Sequence, residues 1–172
     1  MKKLLILLTT VTIVVTGCAT ASRQTPTGIT FIHLNDTYRV GAVEDGTAGG
    51  FSRVVTLVRR LQAEGRDVRI LHGGDFIYPS LESQLWNGLQ MVDAMNFMDS
   101  IAPLYAVAGN HEFDRRGPQQ LVAAVKASQF DWLGDNYVFN TGDAAADAAL
   151  KAGFMFTAVG RKVGVFSLTL NA

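Results

Sequence analysis

The chain has 172 residues, 48% hydrophobic and 17% charged, which fits one globular domain of ordinary size. Its 15 basic and 15 acidic residues cancel, and no basic stripe is present, which argues against a nucleic-acid polymer as partner. Cys18 is the only cysteine, so no disulfide can form within the chain.

The N-terminus reads as a targeting segment. Lys2-Lys3 is a charged n-region, and Leu4 to Val15 is an apolar stretch too short to span a bilayer well. It ends Val15-Thr16-Gly17-Cys18, which resembles a bacterial lipobox. That resemblance implies a lipoprotein signal peptide over 1–18, with Cys18 lipidated. Several acyl chains on Cys18 would hold firmly where one holds weakly. The protein would then sit on the bacterial cell envelope, facing the periplasm or the exterior. Residues 19–28 contain Ser, Thr and Pro without periodicity and read as a tether.

Ile29–Leu34 is nearly all apolar, the pattern of a strand buried on both faces. Arg39 to Gly50 is polar and Gly-rich, a loop. Phe51 to Glu64 places Val54, Leu57, Val58 and Leu61 on one helical stripe, with Ser52 as a possible cap and Gly65 as the stop. Val68–His72 is the next strand. A helix capped by Ser80 follows and runs through Leu85, Met91, Val92, Met95 and Phe97-Met98; Gly88 can divide it in two. Leu104–Ala108 is a third strand. Gly117-Pro118 opens a helix with Leu121, Val122, Ala124 and Val125 inward, and Phe130–Leu133 is a fourth strand. Asn140 to Ala149 reads as a surface excursion. Phe154–Val159 and Lys162–Leu170 flank Gly160-Arg161 as a hairpin. No helix follows before Ala172. A layered sandwich needs both faces of its sheet covered, so the domain is expected to be incomplete at the C-terminus.

Three of these strands each deliver a hard-metal donor at the carboxyl end: Asp36, Asp75 after Gly73-Gly74, and Asn110. Open α/β sheets place their sites there. Oxygen donors in such a place suit divalent ions, and a paired-ion hydrolase uses them to activate water. His111, beside Asn110, is suited to protonating a leaving oxygen or stabilising phosphoryl charge.

His33-Leu-Asn-Asp36, Gly49-Gly-Phe-Ser-Arg53, Gly73-Gly-Asp75, Gly109-Asn-His-Glu-Phe-Asp114, Trp132-Leu-Gly-Asp-Asn136 and Val163–Thr169 together carry a family resemblance. Over about residues 29–170 the chain resembles the N-terminal half of a calcineurin-like metallophosphoesterase. More narrowly it is similar to the bacterial 5′-nucleotidase / 2′,3′-cyclic phosphodiesterase family. The resemblance implies an α/β layered sandwich of αββα type. Residues 29–172 would form a partial metallophosphoesterase domain, lacking its C-terminal half and the nucleotidase substrate domain. It implies two divalent ions, drawn from Zn, Mn, Mg, Ca or Fe. Asp36 would bind the first, Asp75 would bridge, and Asn110 would bind the second. His111 would stabilise the transition state, and Asp114 would orient it. The activity implied is hydrolysis of a nucleotide or other phosphate ester by metal-activated hydroxide.

The resemblance departs in two places. The family's first motif is Asp-x-His, whereas here it is Asp36-Thr37-Tyr38; and no histidine follows His111, whereas the family takes later histidines as ligands. This chain alone is therefore expected to be inactive, and the alternative is a non-catalytic lipoprotein on a truncated or decayed phosphatase fold. A dinucleotide-binding protein is disfavoured, because no Gly-x-Gly-x-x-Gly follows the first strand. His33 and His72, inside apolar runs, read as core or supporting residues. Asp135-Asn136 reads as a turn, Arg115-Arg116 as solvated, and Trp86 and Trp132 as packing.

Overall fold

The computed structural model describes residues 26–170. The predicted leader, Cys18 and most of the tether lie outside the described residues. Thr27 already donates its amide to the Gly65 carbonyl at 2.8 Å, and Gly28 opens the first strand, so the tether ends earlier than predicted.

The elements in chain order begin with β1 (Gly28–Leu34), a short hairpin of β2 (Ala42–Val43) and β3 (Ala48–Gly49), α1 (Phe51–Ala63) and β4 (Arg66–His72). Next come α2 (Leu81–Trp86), α3 (Leu89–Asp99), β5 (Leu104–Val107) and a 3-10 turn (Asn110–Phe113). The chain continues through α4 (Gln119–Ala127), β6 (Asp131–Leu133), α5 (Ala144–Ala148), β7 (Leu150–Lys151), β8 (Phe154–Ala158) and β9 (Arg161–Val165). Five strands form one parallel sheet in the order β1-β4-β5-β6-β7. Because that order follows the chain, right-handed crossovers put the connecting helices on one face.

On that face Val68, Ile70, Leu104 and Ala106 pack against Val55 and Val58 of α1, Met91, Val92, Met95 and Met98 of α3, and Leu121 and Val125 of α4. The antiparallel β8–β9 hairpin lies on the other face, where Phe154 meets Tyr105 at 4.8 Å and Phe156 sits under the Arg69 guanidinium at 4.6 Å. The architecture is the mixed α/β layering expected from the sequence. No helix among the described residues is long and apolar enough to cross a membrane.

Several local expectations are corrected. Strand β1 is not buried on both faces: it is an edge of the described sheet, with Phe31 and His33 exposed. Ser52 does not cap α1. Gly49 and Gly50, both at positive φ, swing the chain out of the β2–β3 hairpin, and Gly50 occupies the cap position with no side-chain bond. The inward face of α1 is Phe51, Val55 and Val58, while Leu57 turns outward. Gly88 does divide the second helix, and Ser80 caps α2 by accepting the Ser83 amide. The division leaves α2 on the surface: Leu85 is 65% and Trp86 56% exposed, so Trp86 is not a packing residue. Phe97 is also exposed, whereas Trp132 is buried as predicted. The polar segment 140–149 contains α5, capped by Asp143 through the Ala145 and Ala146 amides.

Candidate metal and catalytic site

Asp36, Asp75 and Asn110 all lie just past the carboxyl ends of neighbouring strands β1, β4 and β5. Backbone bonds join their loops. The Gly73 amide reaches the Leu34 carbonyl at 2.7 Å, and the Asp36 amide reaches the Gly74 carbonyl at 3.1 Å. Asp75 Oδ1 accepts the His111 amide at 2.8 Å. The five predicted site residues therefore share one end of the sheet.

Both aspartates hold left-handed backbone, Asp36 at φ 53° and Asp75 at φ 61°. The other non-glycine residues with positive φ, Glu44, Asp45, Asn87 and Val159, sit in hairpin turns or a helix cap. Left-handed backbone costs a non-glycine residue about 1–3 kcal/mol, and such strain clusters at functional sites. Two glycines make the geometry possible. A Cβ on Gly74 would overlap the Gly109 amide nitrogen, and one on Gly109 would overlap the Asp75 carboxylate. The β4 and β5 loops thus touch backbone to backbone.

Asp36 is held from two sides. Tyr38 donates its hydroxyl to Asp36 Oδ1 at 2.8 Å, and the Asn35 amide reaches Oδ2. Burial, then the bond to Asp36, pushes the Tyr38 hydroxyl well above its ordinary range, so Tyr38 acts as a phenol donor. Its ring lies edge-on to His111 at 6.3 Å. His111 Nδ1 meets Asp114 Oδ2 at 2.5 Å. That bond to Asp114 raises the His111 imidazole above its ordinary value and leaves Nε2 free for another partner.

Of the two histidines assigned to a supporting role, His72 is buried and bridges loops, whereas His33 is exposed. His72 Nδ1 accepts the Gly74 amide at 3.1 Å, which assigns the ring proton to Nε2, 2.6 Å from Thr37 Oγ1. Burial lowers its imidazole to about 3, so it stays neutral. It links the loop after β1 to the loop after β4.

Glu112 is the principal residue missed by sequence reasoning. Only 4% exposed, it accepts four backbone amides. Burial pushes its carboxyl up, and the four N–H donors pull the other way. Tyr137 was missed as well. Its hydroxyl donates to the Leu133 carbonyl at 2.7 Å and accepts the Ala108 amide at 3.0 Å, bracing the strand before Gly109. The available signal was Glu112's place inside the Gly109–Asp114 block.

A cavity of about 540 Å³ opens beside Asp36 and Tyr38, between α1 and the β2–β3 hairpin. Its two cations are already engaged: Arg39 pairs with Glu82 at 3.2 Å, and Arg53 bonds the Gly49 and Gly46 carbonyls. Arg115 is exposed, as predicted, and stacks over Tyr78 at 4.9 Å. Among the described residues no three His, Cys, Asp or Glu side chains group as a metal site. Asp36, Asp75 and Asn110 supply two carboxylates and an amide oxygen, donor types that suit a divalent ion, at the same end of the sheet.

Oxygen donors just past three strand ends of a parallel sheet lie where open α/β sheets place their sites. A calcineurin-like phosphoesterase model matches residues 29–163, and the chain belongs to that family, whose members generally use divalent metal ions. It is 27% identical over 151 residues to the "Probable 5′-nucleotidase" of Treponema pallidum (strain Nichols), covering 81% of this chain and 25% of that protein. It is 33% identical over 119 residues to "Protein 5NUC" of Lutzomyia longipalpis, covering 68% of this chain and 20% of that protein. The chain spans a quarter or less of the length of these relatives.

Proposed function

We propose that the intact protein is a metal-dependent phosphoric ester hydrolase of the cell envelope, acting on nucleotides in the manner of a 5′-nucleotidase. The observation that carries this reading is the His111–Asp114 pair beside Asp75, with His111 Nδ1 2.5 Å from Asp114 and its amide bonded to Asp75. Asp36, Asp75 and Asn110 would hold the ions, whether Zn, Mn, Mg, Ca or Fe. Ions bound there supply Lewis acidity and an activated water. Asp114 fixes the His111 ring and favours its protonated form, so that Nε2–H can meet a phosphoryl or leaving oxygen. The name of the Treponema pallidum relative supports a nucleotide substrate. The Lys2–Cys18 pattern supports a lipid anchor at Cys18.

His111→Ala in the intact protein is expected to lower turnover of a 5′-mononucleotide about 10²–10⁴-fold, the usual contribution of a positioned acid or base. Unchanged turnover at saturating Mn²⁺ would remove His111 from the chemistry.

Residues 1–172 alone are expected to show little activity, because two carboxylates and an amide fall short of two full coordination shells. A non-catalytic lipoprotein is the second reading. It is favoured by Tyr38, whose hydroxyl is spent on Asp36 where the family carries a ligating His. Metal binding together with esterase activity by residues 1–172 would count against it.

A further inference from the structure

Glu112 has no part in the chemistry proposed above, yet it is the most heavily bonded buried side chain at this end of the sheet. Its Oε2 accepts the Asp75 amide at 2.7 Å and the Gly109 amide at 2.6 Å. Its Oε1 accepts the Phe76 amide at 2.8 Å and the Ile77 amide at 3.1 Å. All four amides lie outside helices and strands. Without Glu112 they would be buried donors lacking the partners the sheet gives elsewhere, a costly state. An ionised carboxylate meets this need well, since each oxygen takes two donors and charge-assisted bonds are the stronger kind.

The donors come from two loops. Asp75, Phe76 and Ile77 follow β4, while Gly109 precedes Asn110 and His111 after β5. One oxygen, Oε2, bonds an amide from each loop. Those loops already touch through Gly74 and Gly109, where no Cβ can enter. The contact sits next to strained Asp75, whose left-handed backbone needs an external restraint to persist.

We infer that Glu112 is a positioning residue: its carboxylate locks the Asp75 loop against the Gly109–His111 turn and so sets Asp75 and Asn110 in register for a shared divalent ion. This role rests on the proposed reading of Asp75 and Asn110 as ligands. Glu112 itself faces four amides rather than the ion.

Glu112→Gln is the sharp test, because it keeps the shape and removes one acceptor oxygen. Whichever way the amide turns, two N–H donors face an NH₂ group. Two readouts on the intact protein separate the possibilities. In the metal-free wild type, amide exchange at 75–77 and 109 should be slow despite the loop conformation, and at least tenfold faster in the variant. Mn²⁺ affinity, read by the EPR signal of free and bound ion, should fall at least tenfold in a variant that still unfolds cooperatively, with a changed bound-ion spectrum. Where the Gln chain does not fold, Glu112→Asp is read in its place. It keeps the charge on a stem too short for all four amides, and the same loss of affinity is expected.

Fast exchange at these amides in the wild type would overturn the clamp and leave the ligand reading intact. So would a folded variant with wild-type Mn²⁺ affinity. Failure of the wild type to bind Mn²⁺, with Asp75→Asn indistinguishable from it, would overturn the ligand reading and the positioning role with it.

Discussion

Ile70 and Leu71 are neighbours on β4 and chemically near-identical, yet they meet different surroundings. Ile70 is fully buried with Val55, Val58, Met91 and Leu104 in the core on the helical side. Leu71, with Tyr105 and Val107, faces the opposite side and stays half-buried. There the described cover is the β8–β9 hairpin and the segment after it, leaving a cavity of about 430 Å³ bordered by Leu71, Tyr105 and Phe166. Burial in a parallel sheet is thus decided by what is laid on each face, not by how apolar the strand is. The difference should appear as energy. Ile70→Ala is expected to cost about 2–5 kcal/mol, the range for a large aliphatic side chain in a packed core. Leu71→Ala should cost about 1 kcal/mol, since less surface returns to water. Urea unfolding of both variants decides the matter, and equal losses would mean that the two faces are equally well covered.

Arg69 shows how the less covered face is held by polar contacts. Its guanidinium pairs with both oxygens of Asp67, at 3.0 and 3.2 Å. It also approaches the Tyr105 hydroxyl at 3.4 Å and lies 4.6 Å over the Phe156 ring. Arg69→Ala should therefore destabilise by about 1 kcal/mol, combining a partly exposed ion pair with a cation–π contact. The sharper expectation is spatial. Hydrogen exchange should quicken in β8 and β9 while α1 and β4 keep their protection. Uniform quickening would show that the hairpin is not a separate unit.

Much of the site was legible because its signals are local. Gly73-Gly-Asp75 and Gly109-Asn-His111 each follow a short apolar run, and that pattern places them at strand ends without any tertiary knowledge. The same runs place the carboxyl ends of β4 and β6 at His72 and Leu133, while β4 begins earlier, at Arg66, and β5 ends at Val107 rather than Ala108. Glu112 was not legible in this way. A glutamate between His111 and Phe113 in a polar turn looks solvated, and three of its four partners lie 35 to 37 residues earlier in the chain. No window of ten or fifteen residues contains that fact. Leu57 and Trp86 failed for a related reason. Helical periodicity fixes a stripe, but whether the stripe meets a core depends on how Gly50 and Gly88 aim the helix. Tyr38 stands out from its motif, and its partner Asp36 lies two residues away, within reach of sequence reasoning. That its hydroxyl donates to Asp36 Oδ1 is set by how the loop after β1 folds back, which the motif does not encode.

The attachment of the hairpin to the sheet gives the smallest predicted effect and the most specific one. Asp135, just past β6, accepts the Gly153 amide at 2.7 Å, the Ser167 amide at 2.7 Å and the Ser167 hydroxyl at 3.2 Å. Next to it, the Asn136 side chain bonds both the carbonyl and the amide of Thr169. The two side chains stitch both flanks of β8–β9 to the carboxyl end of β6. The Gly153 amide first, then the Ser167 amide, holds the Asp135 carboxyl below its ordinary value. The folded state therefore protonates less readily than the unfolded one. Its contribution to stability is complete above the ordinary carboxylate value and is lost as pH falls through the lower folded value. Asp135→Asn should flatten this part of the acid limb of the unfolding midpoint. At neutral pH it should loosen residues 153–167 in hydrogen exchange more than α1 or α3. An acid limb identical to wild type would mean that Asp135 is as well solvated as its exposure suggests, and that the hairpin is held by the Asn136, Arg69 and Tyr105 contacts instead.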